Sequence, residues 1–455
     1  MSIQRCEGLL SRLGGEGRAA RAVLAITTAM AAPSFAGEVP ATATDASFPV
    51  GQPSEIIEDE SEDAGTAGGL QEIVGNTKLY GYIEAYWEKV GSTPTGVDDA
   101  GKTLLATNPS GFDVPNLNVM IQRSVGDHFK GFLNLRAPGA TTVDVSNAWV
   151  EATMFGQLLA VRAGKLYRPF GLYNEILDAV PTYIGIEPPE MFDKDHLLLT
   201  RTTNLMLRSS YTVGEHGVTV ALTTGNDERL TEQVPIGADL HYDYGPRLRV
   251  GTSFYGSSGD AAPSQRVGSG PPTGAVAAWM ASDRFVVYGG YLQAEIFGVL
   301  LQMEAWQAAH RARRDPNEVI KLLDANLNAR QRQRFGLDGA APSAADVIER
   351  VDYNVRTAYA RVGYQLDTAF GAIVPYGQYD IYSNPEIIDA KEFGGDNEAG
   401  LNDDGRFHKA TIGVVYRPVD AVAVKADAST HLQRYNGQWL AYPELRASLS
   451  YLWSL

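Results

Sequence analysis

The 455-residue chain has one cysteine, Cys6, and no run of about 20 consecutive apolar residues of the kind a helix needs to cross a bilayer. With 44% hydrophobic residues and a mean hydropathy of -0.17, a bundle of membrane-spanning helices is excluded. Lysine and arginine total 38 against 54 acidic residues, a net charge of -16. Polyanion binding rests on basic residues that neutralise phosphates, so no nucleic-acid partner is expected. The seven histidines (His128, His196, His216, His241, His310, His408 and His431) contain no i, i+4 pair and no HExxH, which argues against a zinc protease. No catalytic set, metal or cofactor is therefore expected. What is abundant is glycine, 47 residues or about a tenth of the chain against a usual ~7%, and tyrosine, 22 against 15 phenylalanines. That balance, with only 20% charged residues, suggests β-structure and turns.

Arg5, Arg12, Arg18 and Arg21 lead into the apolar run Ala22-Val23-Leu24-Ala25-Ile26, which ends in Ser34-Phe35-Ala36. A basic region, a short apolar region and a small-x-small site read as a secretory signal peptide over 1–36, cleaved near Ala36. An amphipathic first helix is the alternative, but the run lacks a polar face. Cys6 would leave with the peptide, so disulfides, thiol catalysis and cysteine-ligated metal are excluded from the mature chain. From 37 to 76 the chain carries nine acids and no lysine or arginine in an Ala/Thr/Pro/Gly-rich background, the composition of a disordered periplasmic tail. A folded acidic domain is the alternative there.

From Thr77 onward, period-two stretches of about ten residues recur, the length of a tilted transmembrane strand. In the last, Leu445, Ala447, Leu449, Tyr451, Trp453 and Leu455 alternate with Glu444, Arg446, Ser448, Ser450, Leu452 and Ser454. Strands are expected near 78–90, 114–125, 127–137, 143–154, 157–167, 202–213, 217–225, 234–244, 246–257, 284–294, 298–308, 352–366, 372–383, 406–417, 420–433 and 441–455. Their connections alternate short and long. A chain that starts in the periplasm then places short turns on one rim and long loops outside. The fold class is all-β: a transmembrane antiparallel β-barrel of about 16 strands over 77–455, with short periplasmic turns and long extracellular loops. A soluble sandwich gives similar single strands but has no reason to segregate loop lengths. The parity turns Lys130, Phe132, Asn134 and Arg136 inward, with Phe129, Leu133 and Leu135 outward. Likewise Lys425, Asp427 and Ser429 face the lumen, and Val422, Val424, Ala426 and Ala428 face lipid.

The stretch 159–175, LAVRAGKLYRPFGLYNE, resembles the strand-then-loop segment of Gram-negative outer-membrane porins of the broad phosphate-selective-porin-like (porin O/P-like) group. Looser echoes are Tyr80 to Trp87, Val374 to Asp380 and Thr411 to Pro418. The resemblance implies a 16-stranded barrel, often a trimer, whose third extracellular loop folds into the lumen as a constriction. By order that loop is Arg168 to Arg201. The sequence departs from the group in two ways: its lysines are few and scattered where a phosphate-specific channel uses clusters, and it ends Trp453-Ser454-Leu455 where porins commonly end in phenylalanine.

Loop 168–201 carries Glu175, Asp178, Glu187, Glu190, Asp193 and Asp195, the expected pore constriction. Inward parity offers Arg136, Arg208, Arg249, Arg361, Lys409 and Arg417 as the lumen wall. An acidic loop facing a basic wall sets up a transverse field that sorts ions and orients dipolar solutes. The implied function is passive diffusion of small hydrophilic solutes or ions through a water-filled outer-membrane channel. The partners are then membrane lipid, lipopolysaccharide and the solutes, and a homotrimer is compatible. An outer-membrane hydrolase, with His196 beside Asp193 and Asp195 as its best cluster, and a structural or adhesive surface barrel are the alternatives.

The insertion 309–350 reads as helical and extracellular. Asp315-Pro316-Asn317-Glu318 supplies a cap and a proline at the first turn, and Ser343-Ala344-Ala345-Asp346 opens a second, shorter helix. Arg311, Arg313, Arg314, Lys321, Arg330, Arg332 and Arg334 make it basic, able to contact lipopolysaccharide phosphates, lid the pore, or simply stay solvated. Gly96 to Thr103 fits the phosphate-loop spacing, but Asn108-Pro109-Ser110-Gly111 stops the long helix that such a loop needs. Asp396, Glu398, Asp403 and Asp404 lack EF-hand spacing.

Overall fold

The computed structural model describes residues 77–97, 103–107, 110–137, 139, 142–156, 158–176, 181–182, 184–189, 202–225, 234–260, 279–324, 327, 329–386, 406–435 and 438–454. All belong to the unit Phe48–Leu455; the other unit, Met1–Ser47, lies outside the described residues. The expected signal peptide and acidic tail also lie outside them.

The strands are β1 (Thr77–Val90), β2 (Thr93–Val97), β3 (Thr103–Ala106), β4 (Ser110–Val125), β5 (Phe129–Arg136), β6 (Asp144–Met154), β7 (Leu159–Tyr167), β8 (Thr202–Val213), β9 (His216–Thr224) and β10 (Ile236–Tyr244). They continue with β11 (Leu248–Asp260), β12 (Met280–Ile296), β13 (Val299–Arg314), β14 (Arg350–Tyr364), β15 (Leu366–Thr368), β16 (Gly371–Ser383), β17 (Arg406–Val419), β18 (Val422–Tyr435) and β19 (Gln438–Ser454). β2 and β3 form a separate hairpin, so Thr103–Ala106 is a strand and not the helix that a phosphate loop requires. β15 prolongs β14 along the same edge of β16. The rest makes a closed antiparallel β-barrel of 16 strands, each paired with its neighbours in sequence. β1 closes the ring by pairing with β4 on one side and with β19 on the other, from Tyr80↔Ser454 to Val90↔Glu444.

The alternation in the sequence becomes an inverted solvent profile. On β19, Leu445, Leu449 and Tyr451 are about half exposed on the outer face, while Glu444, Arg446, Ser448 and Ser450 are buried on the inner one. β8 repeats this with Leu205, Leu207 and Tyr211 outside and Met206 inside, and β18 with Val424 outside and Lys425 inside. Water does not stabilise an apolar outer band of this kind; lipid does, and closure leaves no open sheet edge in the hydrocarbon.

One rim has only short connections. At two of them consecutive residues have positive φ, Phe155 (56°) with Gly156 (65°) and Phe297 (52°) with Gly298 (77°), the backbone of a tight hairpin turn. Both phenylalanines are exposed, at 78% and 96%, on the rim where aromatics anchor a barrel at the membrane–water boundary.

The other rim carries the long connections. β12 and β13 run on together to Met280 and Arg314, so the strand continues six residues beyond the expected start of the insertion at 309. Helix α1 (Pro316–Lys321) begins where the sequence places it, with the Asp315 side chain accepting from the backbone N–H groups of Asn317 and Glu318. The second α-helix is α2 (Ala329–Phe335), not the segment after Ser343, which is a single 3-10 turn. That turn is held by its capping box: the Ser343 N–H and hydroxyl both donate to Asp346, holding its carboxyl below the usual range, but Val347 is already extended. Arg314 turns inward from the insertion to pair with buried Glu386 at 2.5 Å and stacks over Phe335 at 4.6 Å.

Candidate functional site: the inward loop

The chain leaves β7 at the long-connection rim and turns into the barrel. Arg168, 1% exposed, donates to the Thr202 carbonyl at 3.0 Å and lies 3.9 Å over the Tyr255 ring. Asn174 donates to the Arg168 carbonyl, closing residues 168–174 into a compact turn. Phe170 packs on Trp306 with ring centres 4.3 Å apart. The Gly171 N–H donates to Ser253 Oγ, and the Leu172 N–H to Glu304 Oε1 at 3.1 Å. Gly171 has φ 64° and faces the Glu304 carboxylate, so any side chain there is strained and either the loop or that carboxylate must shift. Tyr173 donates to Gln302 at 2.7 Å and accepts from Arg361.

The second described arm, 181–182 and 184–189, meets β14 and β16 to β19. The Thr182 carbonyl accepts from Arg417 at 3.2 Å, and the Gly185 carbonyl from Lys425 at 2.8 Å. Ile184 packs with Leu300, Val374, Tyr376 and Val415. Arg417 and Leu300 lie near the short-turn ends of their strands, so the loop descends almost the depth of the barrel before it rises to Glu187. Glu187 Oε2 is 3.3 Å from Lys409 Nζ and pairs with Arg446, while its carbonyl accepts from Arg361. Beside it a small polar cleft opens between Glu187, Arg361, Gln378, Lys409, Asp427 and Arg446.

Of the expected constriction residues, Glu187 sits against the wall and Glu175 lies half-buried in the short 3-10 turn Asn174–Ile176. Asp178, Glu190, Asp193 and Asp195 lie outside the described residues, as does His196. Of the expected wall, Arg361, Lys409 and Arg417 bond the loop. Arg136 donates instead to Asn116 at 2.9 Å, Arg249 pairs with Asp243 at 2.7 Å, and Arg208 stands on β8 opposite Ala160 and Ala221. The wall is not uniformly basic. Glu84, Asp239, Glu304, Asp380, Asp427 and Glu444 are buried on inward faces, so the loop meets a lattice of both signs.

Sequence reasoning missed Arg446 and Lys425 as loop contacts although both have inward parity, and missed Glu304, which parity with Trp306 on β13 also marks. The Phe170–Trp306 anchor had no sequence signal, because a lone aromatic in a loop has no period. Asp239 accepts from Ser253 Oγ at 2.6 Å and lies 2.8 Å from His241 Nδ1. This is not a nucleophilic triad: the serine bonds the carboxylate, and His241 Nε2 faces Asp243 at 3.5 Å.

The architecture is that of a closed outer-membrane-type barrel with an inward-folded loop. No family model and no curated protein matches the sequence. Among solved structures, the anion-selective porin of Comamonas acidovorans is similar over 83% of this chain and 99% of that one, with 13% identity and a TM-score of 0.50. OmpT, an outer membrane protein of Vibrio cholerae in trimer form, matches over 83% and 99% at 10% identity and 0.49. The outer membrane channel DcaP of Acinetobacter baumannii matches over 83% and 97% at 11% and 0.45. At such identities the likeness is one of fold.

Proposed function

We propose that this protein is an outer-membrane porin, a water-filled channel for passive diffusion of small hydrophilic solutes or ions, with loop 168–201 as its constriction. The observation that carries the reading is the contact of Glu187 with Arg446 and Lys409, which brings the third connection of the long-connection rim against the wall of the barrel opposite its own strand. A 16-stranded barrel is too wide for its wall side chains alone to fill, so a loop tethered across it sets the bore and the local field. Glu187 of the loop, paired with Lys409 on β17 and Arg446 on β19 beside the wall acids Asp427 and Glu444, shapes that field where the loop meets the wall.

The same reading includes export with cleavage near Ala36, an outer-membrane site among lipid and lipopolysaccharide, the porin O/P-like kinship, and assembly as a homotrimer. The protein is read as a channel and not an enzyme. Planar-bilayer recording of the purified full chain tests it: stepwise conductance with a reversal potential in a salt gradient is expected, and a barrel that inserts without conducting overturns it.

A further inference from the structure

The outward face of β12 to β14 changes character along its length. Near the short-turn rim β13 presents Val299, Leu301, Met303 and Ala305, and β14 presents Tyr364, Val362, Ala360 and Ala358. Toward the long-connection rim the same faces carry Arg284 on β12, Arg311 and Arg313 on β13, and Arg350 and Arg356 on β14, all exposed. Tyr288, 47% exposed, marks the change. Arg284 lies four residues beyond it, roughly 13 Å along the strand.

The register sets these cations directly against one another: Arg284 opposite Arg311, and Arg313 opposite Arg350. Like charges in directly opposed positions destabilise a sheet. Among the described residues little offsets them. Asp260 reaches Arg313 only at 3.9 Å with both side chains more than half exposed, and Asp352 stands opposite Arg311. Arg356 donates to Gln307. Five arginines against two aspartates occupy one outward patch in a chain of net charge -16.

Two guanidinium pairs a strand apart fit anions that accept two parallel hydrogen bonds, and phosphate is such an anion. The two pairs lie four and six residues beyond the level of the outward aromatic that marks a membrane boundary, on the side where the phosphates of lipid headgroups lie. We infer that Arg284, Arg311, Arg313 and Arg350 bind the phosphate groups of lipopolysaccharide, a phosphorylated glycolipid of the outer leaflet, on the outer wall of the barrel. This rests on the outer-membrane reading above, with the long connections outside. Arg314, basic in sequence and adjacent, takes no part because it faces inward to Glu386.

The test uses the full chain, folded in detergent, with doubly phosphorylated lipid A and its dephosphorylated counterpart as probes in native mass spectrometry at two salt concentrations. Wild type is expected to hold the phosphorylated form about tenfold more tightly, and more weakly at high salt. The double variants R284Q/R311Q and R313Q/R350Q should lose that preference, while R284K/R311K keeps part of it because charge remains and the fork geometry is lost. Unchanged heat-resistant migration on gels shows that each variant is folded. Equal binding of both glycolipids, or variants that bind as wild type does, overturns the inference, as does cross-linking that joins two barrels through position 313. Glycolipid preference without conductance leaves this inference standing and sinks the porin reading; conductance without preference does the reverse.

Discussion

Glu187 of the inward loop is ion-paired with Arg446, midway along β19, and shares the same carboxylate oxygen with Lys409 on β17. Acidic Glu444 approaches the same two cations at 3.5 Å. Removing the loop carboxylate therefore leaves the cations partly compensated from the wall itself.

Glu187→Gln should loosen the loop without unfolding the barrel. Single-channel recordings are expected to show higher and noisier conductance, and the reversal potential should move toward anions because two cations lose their loop partner. The exchange E187R/R446E should bring both values back toward wild type. A variant indistinguishable from wild type removes Glu187 from the constriction.

Phe170→Ala deletes the apolar anchor on Trp306. Large-to-small changes at buried aromatics cost about 3–5 kcal/mol, here charged to loop docking because the barrel's own hydrogen bonds are untouched. Faster proteolysis within 168–201, at unchanged resistance of the strands, is the expected result of limited digestion.

Gly171→Val combines a positive φ with a side chain aimed at the Glu304 carboxylate. It should displace the loop as strongly as Phe170→Ala. Gly131→Ala, where an added methyl meets nothing within 4 Å, is the control and should leave conductance as it is.

Leu449→Arg on the outward face of β19 should destabilise the barrel by about 2–4 kcal/mol in phospholipid vesicles, against about 0–1 for Val299→Arg at the end of β13. Denaturant titration of folding into vesicles measures both. Equal costs at the two depths would mean that the outer face is not graded by a bilayer.

The barrel was legible because period-two alternation is a local property: Leu449 and Ser450 declare their faces without reference to any other strand. Fifteen of the 16 strands begin and end within four residues of where alternation places them, and β13 runs six further, to Arg314. The helical insertion was half legible. Asp315 and Pro316 act within one turn, whereas α2 packs through Phe335 against Trp279, a contact 56 residues apart. The loop was placed by order and charge, but its seating was not. Phe170 meets Trp306 and Gly171 meets Ser253 across the lumen, and nothing near residue 170 names those partners. The mixed sign of the wall was readable from parity at Glu304 and Glu444 but is obscured when only cations are counted.

The pairing of Tyr80 with Ser454 has a consequence for assembly. Every other seam joins strands close in sequence, at little cost in loop entropy; this one closes nearly the whole described chain on itself, and its cost grows only with the logarithm of that length. Until β19 is in place, β1 and β18 are bare edges that hydrocarbon cannot satisfy. Deleting β19 should thus remove the barrel all at once and not by degrees, since both edges it joins are then left unpaired.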